Sequence, residues 1–410
     1  MDRSQFWVRV GTAIVAMALA VALAASAIAG RFPLWLRSAP GPAGGSSAPS
    51  PGHSGPASGS PSPSKSVGPA LPKLSVRQMA GQRVIYSYGG LRPPAELLRL
   101  ISHGDAAGVI FFSQNVSSRA QLINVVAELE KADASPQNPV RAPLLLMTDQ
   151  EGGQIRRVPG APLLSELQIG QAADPSAAAA NAGASAGQNL RGIGINVNLA
   201  PVLDVYRQPG DFDDQFQRSY SMNPTVVGEL GADFIAAQQR AGVAATAKHF
   251  PGLGAAAQPQ DTDKVPVTLK LPLATIRDTD ELPYKAAIAA GVRLVMVSWA
   301  VYPALDPGRP AGLSATIVNG ELRQRLKFTG VTITDALEAG ALRAYGSFQN
   351  RALLAAEAGM DLILCSVQSV GEGKRATVGL EDGYRDGKLG KPAFTAALLR
   401  VLALRDSFNG

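Results

Sequence analysis

Short apolar runs recur along the chain from about residue 74, at 84–88, 108–112, 144–148, 195–199, 243–247, 294–298, 331–334 and 362–365. Each is long enough for a strand and carries apolar residues at odd and even positions alike. A strand of that kind is buried on both faces. Between the runs lie Ala- and Leu-rich stretches with helical spacing, at 118–134, 172–190, 225–240, 283–290 and 349–358. Eight strands alternating with helices predict an α/β fold, a parallel sheet covered by helices. The count fits a closed (β/α)8 TIM-type barrel best, with an open doubly wound sheet as the alternative.

The pattern before residue 71 is different. Arg3 and Arg9 precede an uncharged apolar run at 10–29, long enough for a signal-peptide core or a single membrane span. Ala27, Ile28 and Ala29 offer a small-residue cleavage site, while Arg31 and Arg37 follow as they would after an anchor. Residues 1–38 are therefore expected to act as a signal peptide or membrane anchor. Export is common to both readings, with an extracellular, wall-associated or membrane-tethered protein as the result. Residues 39–70 are almost entirely Pro, Gly, Ser and Ala, too poor in apolar area to offset chain entropy, and are expected to form a disordered tether. Residues 71–410 are expected to be one folded domain.

Composition narrows the function classes. The formal charge is +6, but no Lys/Arg cluster interleaves with aromatics, so nucleic-acid binding is not expected. Cys365 is the single cysteine, which leaves no disulfide and no lipid-modified cysteine after the apolar run.

Polar residues then repeat at one phase. Asp149, Gln150 and Glu151 follow the third run, Asp204 the fourth, Lys248 and His249 the fifth, Ser298 and Trp299 the sixth, and Asp335 the seventh. These are the C-terminal ends of strands, the catalytic face of a barrel. Asp149 and Arg157, separated by the Gly152-Gly153 turn, suit gripping vicinal sugar hydroxyls or forming a salt bridge at the mouth. Arg218 lies on the long segment after the fourth strand, as fit for structure as for binding. Lys248 can donate to substrate hydroxyls, with His249 orienting it or a carboxylate. The segment beyond them, poor in packing residues, reads as a mobile loop carrying Asp261 and Asp263 over the Lys-His platform. Asp335 ends a β-branched strand and can be a nucleophile or the N-cap of a following helix. Glu338, one turn further, reads as a helix-surface residue.

Together DQEGG with Arg157, NLAPVLDV, RSYS, KHFPG, MVSWAVYP, LSATIV and TDALEAGAL, in that order, resemble family 3 glycoside hydrolases, specifically their single-domain β-N-acetylglucosaminidase (β-hexosaminidase) branch. The similarity runs from LSVRQMAGQ at 74–82 to the C-terminal region. The resemblance implies a barrel that releases terminal β-linked N-acetylglucosamine with retention, through a covalent glycosyl-enzyme on Asp335. It implies that Asp149, Arg157, Arg218, Lys248 and His249 hold the sugar, that no metal or organic cofactor takes part, and that the partner is a carbohydrate. Export points to GlcNAc-containing peptidoglycan fragments as that carbohydrate. One motif departs. The family's KHFPGHG reads KHFPGLG here, and the loop His that usually serves as acid/base is replaced by Asp261-Thr262-Asp263. Asp263 is then the expected acid/base, with Asp261 second. His103, the other histidine of the domain, falls before the second strand, at the opposite end of the barrel. Trp299 stands where the family commonly has His. Phosphorolysis, another β-hexoside, or a wall-fragment binder without activity are the alternatives.

Overall fold

A computed structural model describes residues 73–409. The apolar run at 10–29 and the tether at 39–70 lie outside them. Among the described residues, no helix is long and apolar enough to cross a membrane.

All eight expected strands form: β1 Val84–Tyr86, β2 Gly108–Ile110, β3 Leu145–Thr148, β4 Val197–Asn198, β5 Ala244–Phe250, β6 Leu294–Val297, β7 Val331–Thr334 and β8 Ile363–Leu364. They pair in parallel in the order β7-β6-β5-β4-β3-β2-β1-β8. A bridge between Ile333 and Leu362 joins the two ends, supported by Thr334 N–H to Leu362 C=O at 3.0 Å. The sheet is a barrel rather than an open, doubly wound layer.

Why the runs are apolar at every position is visible in β3. Leu145 and Met147 belong to a core cluster that collects one face of each strand, with Ile85, Ile110, Val197, Ala244, Met296, Ile333 and Leu364. Leu144 and Leu146 point the other way, into the layer under the helices. Burying each such Leu or Ile contributes about 1.5–3 kcal/mol.

The covering helices are α1 Ala95–Ser102, α2 Arg119–Asp133, α3 Pro175–Arg191, α4 Pro224–Arg240, α5 Leu282–Ala289, α6 Thr316–Arg325 (of π type), α7 Phe348–Ala358 and α8 Val370–Arg385, with a terminal α9 Lys391–Asp406. Their starts are set by side-chain caps. Ser118, Asp174, Asn223 and Ser347 accept first-turn N–H groups of α2, α3, α4 and α7, each worth roughly 1 kcal/mol. Val401 and Leu404 of α9 join the inner cluster, and Arg405 bonds Pro143 C=O just before β3. The helix therefore seals the end where strands begin and leaves the opposite end open.

Candidate active site

Side chains alternate along a strand, so the inward phase continues past the last apolar residue. Two positions beyond Met147 lies Asp149, two beyond Ile333 lies Asp335, and two beyond Leu364 lies Ser366. All three line a cavity of about 460 Å³ at the C-terminal ends of the strands. Strand β5 runs further than its apolar pattern suggests, through Lys248 and His249 to Phe250. Its register against β6 shifts between Ala247 and Phe250, an irregularity that lets neighbouring residues share a face. Lys248 and His249 both reach the cavity, as do Arg157, Arg218, Asp261 and Asp263. The eight residues singled out from the sequence thus share one space.

One wall is a lattice of ion pairs. Lys248 Nζ sits 2.8 Å from Asp149 Oδ1 and 2.7 Å from Glu151 Oε1. Arg218 donates to both oxygens of Glu151, at 2.8 and 2.9 Å, and to Asp213 at 2.8 Å. Burial alone would raise the Glu151 pKa, but Arg218 and Lys248 outweigh it and hold the carboxyl at about 2. Burial likewise opposes the charge on Lys248, and Asp149 and Glu151 win, raising its pKa. The ammonium and guanidinium are thus fixed, charged donors, suited to sugar hydroxyls.

Asp149 and Arg157 do not form the expected side-chain pair. Asp149 is taken by Lys248, and its link to Arg157 is the Arg157 N–H to its own C=O, at 3.1 Å. Arg157 Nε is buried without a partner. The turn that delivers it requires glycine at residue 152: φ is +124°, and a Cβ there would meet Leu164 O at 2.1 Å.

Behind this wall His249 Nδ1 meets Asp204 Oδ2 at 2.6 Å. Burial, then Arg218, pushes His249 down to about 4, so the ring is neutral, donating from Nδ1 and accepting at Nε2. Burial raises Asp213 to about 7 against the pull of Arg218, with Asp204 adding to the rise. Asp204, Asp213 and His249 place one ligand-type atom each within 4.8 Å of one another. Such a trio is the candidate cation-binding set among the described residues. His249 Nδ1 and both Asp204 oxygens are already engaged, by one another and by Leu253 N–H, and Asp213 Oδ1 is held by Arg218, while Asp213 Oδ2 is buried without a partner.

The facing wall carries the loop acids. Asp261 pairs with Lys264 at 2.8 Å and accepts Asp263 N–H at 3.0 Å. The loop is clamped rather than loose. Gly340 N–H bonds Asp263 C=O at 2.7 Å, and Ala341 N–H bonds Thr262 C=O at 3.0 Å. A Cβ on Gly340 would lie 2.0 Å from Lys264 O, so the fit admits only glycine. Asp263 has no cationic partner among the described residues. Desolvation in the cavity, then Asp261 and Glu338, raises its pKa. Asp335 is pushed up to about 6 by burial and then by Asp263. It accepts Ala336 N–H at 2.7 Å. No α-helix starts there; the chain turns and enters a 3-10 segment, Gly340–Tyr345, so Asp335 is not an N-cap.

The same absence of a helix corrects Glu338. It is not on a helix surface but lines the cavity, accepting Ser366 Oγ–H at 2.8 Å. Trp299 is fully buried and donates from Nε1 to Ala336 C=O at 2.8 Å, bracing the turn that holds Asp335. His103 is exposed at the end of α1, bonded to Arg99 C=O, remote from the cavity. Glu151, Asp213 and Glu338 were missed as site residues. Glu151 lay in plain view inside DQEGG, whereas Asp213 left no local signal.

The matches to known proteins agree with this geometry. The model of the glycosyl hydrolase family 3 N-terminal domain matches residues 73–404. An uncharacterized secreted glycosyl hydrolase of Arthroderma benhamiae is 45% identical over 331 residues, 80% of this chain and 93% of that protein. A β-hexosaminidase of Xylella fastidiosa is 35% identical, over 67% of this chain and 80% of its own. Among solved structures, a family 3 β-N-acetylglucosaminidase of Paenibacillus sp. superposes with a TM-score of 0.77 at 33% identity, covering 82% of this chain and 63% of that one. A β-N-acetylhexosaminidase of Beutenbergia cavernae gives 0.73 at 30% identity, covering 82% and 99%. With the barrel, the cavity and these matches in agreement, the chain belongs to glycosyl hydrolase family 3, in its β-N-acetylhexosaminidase branch.

Proposed function

We propose that this protein is an exported, retaining exo-β-N-acetylglucosaminidase that removes terminal GlcNAc from cell-wall glycan fragments, peptidoglycan among them. The observation that carries the proposal is the pair Asp335 and Asp263, lining one cavity opposite a wall of fixed cations. Asp335 attacks the anomeric carbon while Asp263 gives its proton to the glycosidic oxygen; the C1–O bond breaks and a glycosyl ester forms. Asp263, now ionised, takes a proton from water, whose oxygen attacks C1 and releases the ester. Asp149, Arg157, Arg218, Lys248 and His249 hold the terminal sugar, and Asp261 orders the loop through the Asp263 N–H. Export is favoured by the sequence before residue 30 and by the secreted relative from A. benhamiae.

The test compares an aryl β-N-acetylglucosaminide, the aryl β-glucoside and a GlcNAc-terminated disaccharide, using the purified protein and its Asp335→Asn and Asp263→Asn variants. The expected pattern is cleavage of both N-acetyl substrates, abolished by Asp335→Asn. Asp263→Asn should abolish the disaccharide while sparing the aryl compound, whose leaving group needs little acid. Disaccharide turnover unaffected by Asp263→Asn would sink the acid/base assignment. Product analysis in phosphate buffer separates free GlcNAc from its 1-phosphate, and accumulation of the latter would replace hydrolysis with phosphorolysis.

A further inference from the structure

Charge is divided unevenly across the cavity. Its three cations, Arg157, Arg218 and Lys248, come from the segments following β3 and β4 and from β5. Arg218 and Lys248 are each matched by two carboxylates. On the facing side Asp263, Asp335 and Glu338 have no cationic partner among the described residues. Glu338 follows Asp335 by three residues and lines the same cavity. Two residues later Gly340 N–H binds the Asp263 carbonyl at 2.7 Å, so Glu338 and Asp263 lie on adjoining parts of the rim. Its carboxylate is fixed by Ser366 Oγ–H at 2.8 Å rather than free to swing into solvent. Behind it stands Glu372, fully buried, with one oxygen held by Val367 N–H at 3.0 Å. Burial and then Glu338 push Glu372 up to about 8. The buried member of this carboxyl pair is therefore the one that holds a proton, while Glu338 lines the cavity.

We propose that Glu338 is a specificity-determining residue for the leaving group, forming beside Asp263 an acidic rim that favours a leaving sugar with a neutral substituent next to the scissile oxygen and disfavours a free carboxylate there. The inference rests on Asp263 being the acid that meets the glycosidic oxygen, because that contact puts the leaving sugar on this rim. In a β-1,4-linked disaccharide the leaving oxygen is O4, and its neighbour on the ring is the substituent at C3. That substituent is a hydroxyl in glucosamine and N-acetylglucosamine, but a lactyl ether ending in a carboxylate in N-acetylmuramic acid. A lactyl carboxylate would be brought within several ångströms of Glu338. One like-charge contact at about 6 Å, in a partly solvated rim, changes a rate or affinity by roughly tenfold. Among wall fragments, those whose lactyl group is capped as an amide are the better substrates.

The experiment measures kcat/KM near neutral pH at low salt for GlcNAc-β1,4-GlcNAc, GlcNAc-β1,4-MurNAc with a free lactyl group, and the lactyl methylamide of the last. The amide isolates charge from bulk. The expected result is a preference of about tenfold for the amide over the free acid. Glu338→Gln should bring the amide-to-acid ratio close to unity. High salt should compress the same ratio in the unaltered protein, a readout independent of how well the variant folds. Equal rates for acid and amide in the unaltered protein would overturn the inference, as would a ratio that survives Glu338→Gln. Either result leaves the hydrolase reading standing, since neutral disaccharides are still cleaved. Failure to cleave any disaccharide while the aryl substrate is turned over would instead remove the acid/base assignment, and this inference with it.

Discussion

Arg218→Met removes a buried guanidinium that spans two carboxylates, and its first effect is on stability. Glu151 loses two bonds of 2.8 and 2.9 Å, and Asp213 loses one of 2.8 Å. Deleting one partner of a buried ion pair costs about 3–5 kcal/mol. Two features place this substitution near the lower end, at about 3 kcal/mol: Glu151 keeps Lys248 at 2.7 Å, and Asp213, already raised to about 7, can hold a proton. An unfolding entropy of roughly 2 cal/mol/K per residue gives about 0.7 kcal/mol per kelvin for a domain of this size, and hence a melting temperature lowered by about 4 °C.

The pH dependence fixes the sign. A carboxyl whose folded pKa lies above its unfolded value contributes stability fully below the unfolded value and loses it as pH climbs through the folded one. Asp213 is such a group, raised by burial, and without Arg218 its folded value climbs further. At pH 5 it is protonated in both proteins, and the variant lacks little beyond the Glu151 bonds. At pH 8 the wild type holds an ion pair where the variant must bury an unpaired charge or retain a proton against the solvent. Melting curves of both proteins at the two pH values should therefore show a wider gap at pH 8. A gap below about 1 °C at pH 8, or one that widens toward pH 5, would refute this account of the wall.

Three further outcomes follow from the same geometry. The acid limb of kcat/KM should titrate near 6, falling about tenfold per pH unit below it, because Asp335 must be ionised to attack and is pushed up to about 6; a limb near 4 in the pH–rate profile would contradict the burial of that carboxyl. Asp204→Ala strips the acceptor from His249 Nδ1, His249 N–H and Leu253 N–H, and should cost at least about 3 kcal/mol in urea unfolding, since each buried unmet donor costs about 1–3 kcal/mol. Trp299→Phe keeps most of the ring volume but leaves the Ala336 carbonyl without its donor; a loss of about 1–3 kcal/mol of stability, with kcat reduced more than KM, would mark it as the brace of the Asp335 turn.

Much of the barrel was legible because burial on both faces leaves an unbroken apolar run at every strand, and the inward phase carries on beyond it. Met147 leads to Asp149 and Ile333 to Asp335 by the same two-residue step. What could not be read depended on residues distant in sequence. The Asp149–Arg157 pairing looked natural from proximity, but Lys248, ninety-nine positions from Asp149, takes the carboxylate. Glu338 looked helical because it follows Asp335 by three, yet Gly340 is drawn into the β5 loop and no α-helix forms there. Asp213 lies in a loop with no periodicity, and only the fold brings it to Arg218.

The clamped loop also bears on how an aspartate can stand where the family resemblance implies a histidine. Carboxylates nearby raise the proton affinity of either group, but from different starting points. A histidine begins near 6.5 and would be driven toward a permanently held proton, a poorer acid at neutral pH. An aspartate begins near 4 and is carried toward the working range. The two acids then divide the proton by their local donors. Asp335 receives the Ala336 N–H at 2.7 Å and the field of Lys248, both of which favour its anion. Asp263 receives no such bond and faces Asp261 and Glu338. A retaining hydrolase needs the proton of the pair on Asp263 and the charge on Asp335 before its first step. The Glu338 carboxylate that makes the rim hostile to an anionic leaving sugar also raises the proton affinity of the loop acid, so specificity and proton donation rise from one arrangement of charge.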